Sequence, residues 1–250
     1  MNRTLIPPIV LTISLFFFPA RSVGEDVSVV EKIQTYIRPC IDNPDNAEVC
    51  LKSTQKTISV FGQQCVAGDG EACTFLGMSL NKLKYENKNE VRGYLERGCE
   101  LENGIGCSVL ATMWNEGFGG PRDTQKARAN AKKSCDLGYG YGCDLLGFYV
   151  RTGVGGAVDL KAARVHCATG CKLESGSACY SLGMMIRRGD GGNKDLFEAH
   201  GYFQKACDLG DQNGCTRISE YTRTTVILVS VLFLLMGFIS IGFYFYLKRS

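Results

Sequence analysis

Cysteine is the side chain with the most chemistry to offer in this sequence: 13 of 250 residues are cysteine, against two histidines, His166 and His200. So many thiols in a short chain support a disulfide framework or metal sites, and the scarcity of histidine argues against a Cys/His zinc architecture. Ten of them form pairs eight positions apart: Cys65 with Cys73, Cys99 with Cys107, Cys135 with Cys143, Cys171 with Cys179 and Cys207 with Cys215. Eight residues of continuous helix would hold two Cα atoms about 12 Å apart. A disulfide tolerates under roughly 7 Å. A bridge at this spacing therefore needs a chain reversal between the thiols. Asp69-Gly70, Asn103-Gly104 and Asp211 with Asn213-Gly214 are suited to make one. Each bridge then joins one helix to the next and contributes about 2–3 kcal/mol in the chain-entropy model.

The remaining reactive patterns are weaker. Ser53-Thr54-Gln55-Lys56 matches the S-x-x-K pattern of serine penicillin-binding enzymes, in which Ser is the nucleophile and Lys activates it. Arg151-Thr152-Gly153 echoes the K-T-G element, but no S-D-N lies between them, and Ser53 and Lys56 are expected on a solvated helix face. His166, Cys167 and Cys171 could form a redox or metal group if Cys171 were unpaired; a buried apolar Cys167 or an intermolecular bridge are the other readings. The expected assignment is Cys167 as the free thiol in a core-facing slot shared with Leu95, Ala131 and Phe203. His166 and His200 are expected at the surface. The glycine clusters lack a following G-K-[ST], so they are not phosphate loops. No catalytic residue, cofactor or metal is assigned.

What positions the cysteines is a repeat. Successive pairs are offset by 34, 36, 36 and 36 residues. A small residue precedes each second cysteine (Ala72, Gly106, Gly142, Ala178, Gly214), and Leu76-Gly77, Leu110-Ala111, Leu146-Gly147 and Leu182-Gly183 follow. Glycine-rich turns come next, at Gly117 to Gly120, Gly153 to Gly156 and Gly189 to Gly192. Asn87, Asp123, Asp159 and Asp195 stand twelve residues before the next first cysteine, as N-caps of a helix. Glu90 and Glu198, three positions on, suit a capping box. Leu196, Ala199, Phe203 and Ala206 make an apolar stripe at helical spacing. One unit is thus helix, glycine turn, capped helix, short turn.

These units resemble the Sel-1-like repeat, a relative of the tetratricopeptide repeat. Asp159-Leu160-Lys161-Ala162-Ala163 and Tyr202-Phe203-Gln204-Lys205-Ala206-Cys207-Asp208-Leu209-Gly210 carry the likeness. The added cysteine pairs are similar to the cysteine-rich Hcp (Helicobacter cysteine-rich protein) group. The resemblance runs from about Cys65 to Glu220. It implies an all-α fold: an α/α solenoid, a right-handed superhelix of antiparallel helix pairs whose concave surface holds a protein or peptide ligand. It also implies two alternatives, weak β-lactam or peptidoglycan-fragment binding and hydrolysis, and thiol redox or respiratory-complex assembly.

The N-terminal part departs from the pattern. Cys40 and Cys50 flank the turn Asn43-Pro44-Asp45-Asn46 and are expected to form a sixth bridge. Ala47 to Val66 reads as one helix in place of a pair, an atypical cap. At the other end the last unit is expected to have one helix that runs on toward a membrane.

Two terminal segments stand apart. Met1 to Ser22 reads as a signal peptide: Arg3, an apolar run from Leu5 to Phe18, then Ala20-Arg21-Ser22. Thr225 to Leu247 is 23 residues without a charge, followed by Lys248 and Arg249, and reads as a single transmembrane helix with residues 248–250 as a cytoplasmic tail. The expected organisation is residues 1–22 signal, 23–64 helical cap, 65–220 solenoid and 225–247 membrane span. That gives a type I topology with the body outside the cytoplasm, where disulfides persist. Setting aside Arg3, Arg21, Lys248 and Arg249 leaves 24 basic against 25 acidic residues, so no basic field invites nucleic acid. The function expected is a membrane-anchored interaction scaffold.

Overall fold

The structure is a computed structural model that describes residues 36–223. The segments read as signal peptide and membrane span lie outside the described residues. Among those described, no helix is long and apolar enough to cross a membrane.

The chain is all-helical across this range. A short helix α1 (Arg38–Asp42) is followed by a long one, α2 (Ala47–Val66). Eight helices of 13 residues each come next: α3 (Gly70–Lys82), α4 (Lys88–Glu100), α5 (Gly104–Glu116), α6 (Thr124–Asp136), α7 (Gly140–Thr152), α8 (Leu160–Lys172), α9 (Gly176–Arg188) and α10 (Leu196–Asp208). Residues 212–223 are helical as well. The pairs α3/α4, α5/α6, α7/α8 and α9/α10 are the units.

Every second helix starts as its sequence dictates. Asn87, Asp123, Asp159 and Asp195 each accept a backbone N–H within the first turn. Asp69, Asn103, Ser175 and Asp211, read above in part as reversing residues, do the same for the first helices and for residues 212–223. Tyr139 is the exception, an N-cap without a side-chain capping bond. The capping-box expectation needs correction at both Glu198, which pairs with Arg164 while the Asp195 N–H donates to the Ile186 carbonyl, and Glu90. The Glu90 carboxylate accepts from the Tyr85 and Tyr94 hydroxyls at 3.0 and 2.9 Å, because two phenols reach it from its own helix and the preceding turn.

Helices end at left-handed residues. Gly117, Gly153 and Gly189 close α5, α7 and α9 with φ of 73°, 78° and 81°, and Lys84 at φ 56° follows α3. Six disulfides cross the other turns. Cys40 bonds Cys50 and ties α1 to α2. The other five each tie a helix to the first helix of the next unit. Cys65 of α2 bonds Cys73 of α3, Cys99 of α4 bonds Cys107 of α5, and Cys135 of α6 bonds Cys143 of α7. Cys171 of α8 bonds Cys179 of α9, and Cys207 of α10 bonds Cys215 in the last helical segment. Their Cα–Cα distances are 4.4 to 4.6 Å, which the chain reversal makes possible. Cys73, Cys107, Cys143 and Cys179 are fully buried. Cys215 is only half-buried, since among the described residues no second helix follows to cover it.

The core runs through the middle of each pair, and small residues decide how close the helices come. A Cβ at Gly77 would meet Leu95, one at Gly147 would meet the Cys167 sulfur, and one at Gly183 would meet Phe203. In the α5/α6 pair, where Ala111 replaces the glycine, the facing residue shrinks to Ala131. The facing residue thus ranges from Phe203 down to Ala131, while each pair keeps a small residue on the first helix at the contact. First helices of successive units also pack on each other: α3 on α5, α5 on α7, α7 on α9. Apart from the α2–α4 contact at the N-terminal end, second helices do not approach to that extent. First helices therefore form the inner layer of the stack and second helices the outer one.

Candidate functional site

Most of the residues singled out for chemistry turn out to be framework. Twelve cysteines are bonded, and Cys171 is joined to Cys179, so the group His166, Cys167, Cys171 holds one thiol. Cys167 is buried in α8, and burial pushes its thiol up to about 12. At neutral pH it is a protonated, poorly nucleophilic side chain. Ser53 lies at 6% exposure, which corrects the expectation of a solvated position. It faces the core one turn before Thr57, whose hydroxyl donates to the Ser53 carbonyl at 2.8 Å. Lys56 is exposed, with its ammonium 5.0 Å from the centre of the Tyr36 ring. The S-x-x-K pair therefore points to two environments, and Lys56 is not placed to take a proton from Ser53. His166 and His200 are half-buried rather than fully at the surface; His200 packs on the Tyr221 ring at 4.4 Å. Among the described residues, no group of three or more His, Cys, Asp or Glu is arranged to hold a metal.

The best candidate surface is the inner face. On α7, Tyr141, Asp144 and Phe148 fall at i, i+3 and i+7, one helical face. Tyr141 and Phe148 remain 41% and 45% exposed, unusual for large rings on a helix that packs on three sides. Asp144 sits between them, half-buried. Burial holds its carboxyl above the usual carboxylate range, partly offset by the Ser181 and Ser177 hydroxyls of α9. Tyr141 is raised too, by burial and then by the Asp144 charge. Behind them Tyr149 is buried; its hydroxyl donates to the Ala111 carbonyl at 3.3 Å, and burial raises it to about 12. On α9 the stripe continues with Ser177, Tyr180, Ser181 and Met184. Tyr180 stacks against Phe203 at 5.8 Å and hydrogen-bonds with Arg217 of the last helical segment. Arg217 in turn pairs with Glu220 at 2.9 Å. The arrangement offers exposed aromatic area with a few polar anchors, which suits binding rather than bond breaking. The spacing of Tyr141, Asp144 and Phe148 was visible in the sequence. Their prominence was not, since it depends on which face the neighbouring units leave uncovered.

A second feature kept step with the cysteines unnoticed. Arg92, Arg128 and Arg164 stand seven positions before Cys99, Cys135 and Cys171. Each donates to a carbonyl in the next unit's glycine turn: Arg92 to Phe118 at 2.6 Å, Arg128 to Ala157 at 3.2 Å, Arg164 to Asn193 at 3.2 Å.

Comparison with known proteins places these features. The family model described as Sel1 repeat matches residues 104–139 and 176–211, that is α5/α6 and α9/α10 with their following turns. These two segments are Sel1 repeats. The α7/α8 unit between the two matched repeats has the same period, the same glycine turn and an Asp159 cap on its second helix, so the helical array is continuous. Over 80 residues the chain is 33% identical to the protein named Beta-lactamase HcpA of Helicobacter pylori (strain J99 / ATCC 700824), covering 31% of this chain and 32% of the relative. The match thus spans about a third of that relative's length. Among solved structures, a Sel1 repeat protein from Oxalobacter formigenes superposes with a TM-score of 0.62 at 15% identity, covering 77% of this chain and 74% of that one, which supports the fold alone. Cysteine rich protein B (hcpB) of Helicobacter pylori is 29% identical, covering 52% of this chain and 94% of that one, at a TM-score of 0.44.

Proposed function

We propose that this Sel1-repeat chain is a membrane-tethered interaction scaffold that holds a protein or peptide segment along its inner face, outside the cytoplasm. The observation that carries the reading is the pair of exposed rings, Tyr141 and Phe148, flanking the half-buried Asp144 on a layer otherwise closed by helix packing. Stacked repeats create extended surfaces of this kind without one deep cavity. Six disulfides support a compartment where thiols stay oxidised. The uncharged stretch from Thr225 to Leu247 with Lys248 and Arg249 behind it supports a tether, and the apolar run after Arg3 supports export. On this reading residues 23–64 cap an array spanning 65–220.

Selection of a peptide library on the full chain tests the scaffold. A consensus segment should emerge, and Tyr141→Ala with Phe148→Ala should weaken its capture about tenfold or more, as loss of aromatic anchors does. Absence of a consensus, or capture indifferent to both substitutions, rejects the inner face as the site. Carbonate extraction of membranes tests the tether separately: a chain released into the soluble fraction is not anchored by a span.

A second reading rests on the name of the relative, a β-lactamase. Nitrocefin turnover by the full chain measures it. The buried position of Ser53 leads to the expectation that Ser53→Ala changes nothing in that assay.

A further inference from the structure

The outer layer repeats one interval three times, and the three are filled differently. In the first, between α4 and α6, the Trp114 indole from α5 occupies the gap. The Arg92 guanidinium lies over the ring at 4.0 Å and the Lys126 ammonium at 4.2 Å. In the third, between α8 and α10, Ile186 replaces the indole and Arg164 pairs with Glu198 at 3.6 Å. In the second, between α6 and α8, the equivalent positions are Arg128, Val150 and Ala162. Among the described residues, no ring covers Arg128 and no ion pair supplies it with a carboxylate.

What replaces them is an open cavity of about 330 Å³, lined by Arg128, Lys132, His166, Leu146, Val150 and the Gly155 turn, with Gln125 and Ala129 at its rim. That volume lies at the lower end of small-molecule pockets, roughly 300–1,000 Å³. The walls and floor divide by chemistry. Leu146 and Val150 of α7 form an apolar floor, 4% and 2% exposed. Arg128 and Lys132 from α6 and His166 from α8 bring cationic or proton-donating groups to the mouth. Lys132 also reaches Asp136 at 2.6 Å, and Asp136 and Asp159 are the acids that face His166. Burial, then the charges of Arg128 and Lys132, hold the His166 imidazole below its ordinary value. Two cations and two acids thus face the imidazole, and the cations act on it more strongly than the acids.

We propose that this outer-layer cavity binds an aromatic carboxylate, with its ring on Leu146 and Val150 under Arg128 and its carboxylate held by Arg128, Lys132 and His166. The chain itself supplies the template: Trp114 shows that a ring fits this interval beneath the equivalent arginine. The planar guanidinium suits a carboxylate through paired N–H donors. The site is independent of the inner-face reading, since it lies on the other layer.

Titration of the full chain with indole-3-acetate, followed by calorimetry and by the His166 ring resonances, tests the assignment. Saturable binding is expected, with a rise in the His166 pKa because a bound anion favours the imidazolium. N-acetyl-tryptophan, which carries the same ring and charge as a chain terminus, distinguishes a peptide end from a free acid. Uncharged indole should bind at least about tenfold more weakly than the better acid. Val150→Trp refills the gap as Trp114 does, and Ala162→Glu gives Arg128 the partner that Arg164 has; each should weaken binding about tenfold or more while leaving the thermal midpoint near that of the parent. If Val150→Trp does not fold, Ala162→Glu carries the test alone at a half-buried position in the first turn of α8. No saturation, indole binding as tightly as the acids, a static His166 signal, or affinity untouched by Ala162→Glu overturns the proposal.

Discussion

The two ends of each helix pair solve the same problem by different means. At the cysteine end, a second helix is bonded to the first helix of the next unit, and the turn between them is short. Two backbone bonds recur there: Glu102 to Cys99 and Asn103 to Gly98, Gly138 to Cys135 and Tyr139 to Ser134, Glu174 to Cys171 and Ser175 to Gly170. At the glycine end there is no covalent link. Instead the turn of one unit lies on the start of the previous unit's second helix, so that a Cβ at Gly119, Gly155 or Gly191 would strike the carbonyl of Lys88, Thr124 or Leu160. The arginine series closes the contact from the side. The second helices α4, α6 and α8 are therefore each fixed to the next unit at both ends, once by sulfur and once by backbone proximity. Two distant anchors set the angle between units where one would leave a hinge, and the curvature of the inner face follows from that angle.

The largest expected effect comes from removing one covalent anchor. Replacing Cys135 and Cys143 with serine should cost about 3 kcal/mol in the chain-entropy picture. Because units contact only their neighbours, the array should then unfold in two separable steps rather than one. Urea denaturation followed by circular dichroism reads both; a single unshifted transition would show that the sulfur link is redundant with the glycine end.

The glycine end is tested by contrast within one unit. Gly155 (φ 70°) and Gly138 (φ 79°) share a left-handed backbone. A side chain at Gly155 also meets the Thr124 carbonyl, whereas nothing lies within 4 Å of one at Gly138. Gly155→Ala should therefore cost about 2 kcal/mol or more, combining backbone strain and collision. Gly138→Ala should cost about 1 kcal/mol from backbone conformation alone. Equal losses would mean that the glycine end does not bear on the neighbouring unit.

Much of this architecture was readable because period and chemistry coincide. Cysteines, caps and glycine turns recur every 36 residues in the last three units, and the helices begin and end at those marks. Ser53 was misplaced because the N-terminal helix lies outside the period: no equivalent position in another unit indicated which of its faces is buried. Glu90 escaped as a cap because its tyrosine partners, Tyr85 and Tyr94, come from a turn and a helix face that no local motif encodes. The inner-face stripe and the outer-layer cavity depend on which neighbour fills a gap. Trp114 against Val150 reads as one apolar residue for another until the interval they share is seen in three dimensions.

The smallest effect sharpens the comparison at the cysteine end. Its turns pass through one left-handed residue each: Gly68, Gly138 and Gly210 in three of them, but Glu102 (φ 61°) and Glu174 (φ 60°) in two. A non-glycine residue there costs roughly 1–2 kcal/mol of local backbone energy. Glycine removes that cost but returns part of it as unfolded-chain entropy, so Glu174→Gly should stabilise by only about 0.5 kcal/mol. Glu174 is exposed, and its backbone N–H to the Cys171 carbonyl is kept by any residue. The readout is a higher urea midpoint at unchanged slope. A loss instead would mean that the glutamate side chain holds the turn. Because the bridge already restricts this loop in the unfolded state, the gain should grow when Cys171 and Cys179 are reduced only if the turn geometry survives without the bond, so one substitution asks whether the backbone or the sulfur shapes the reversal.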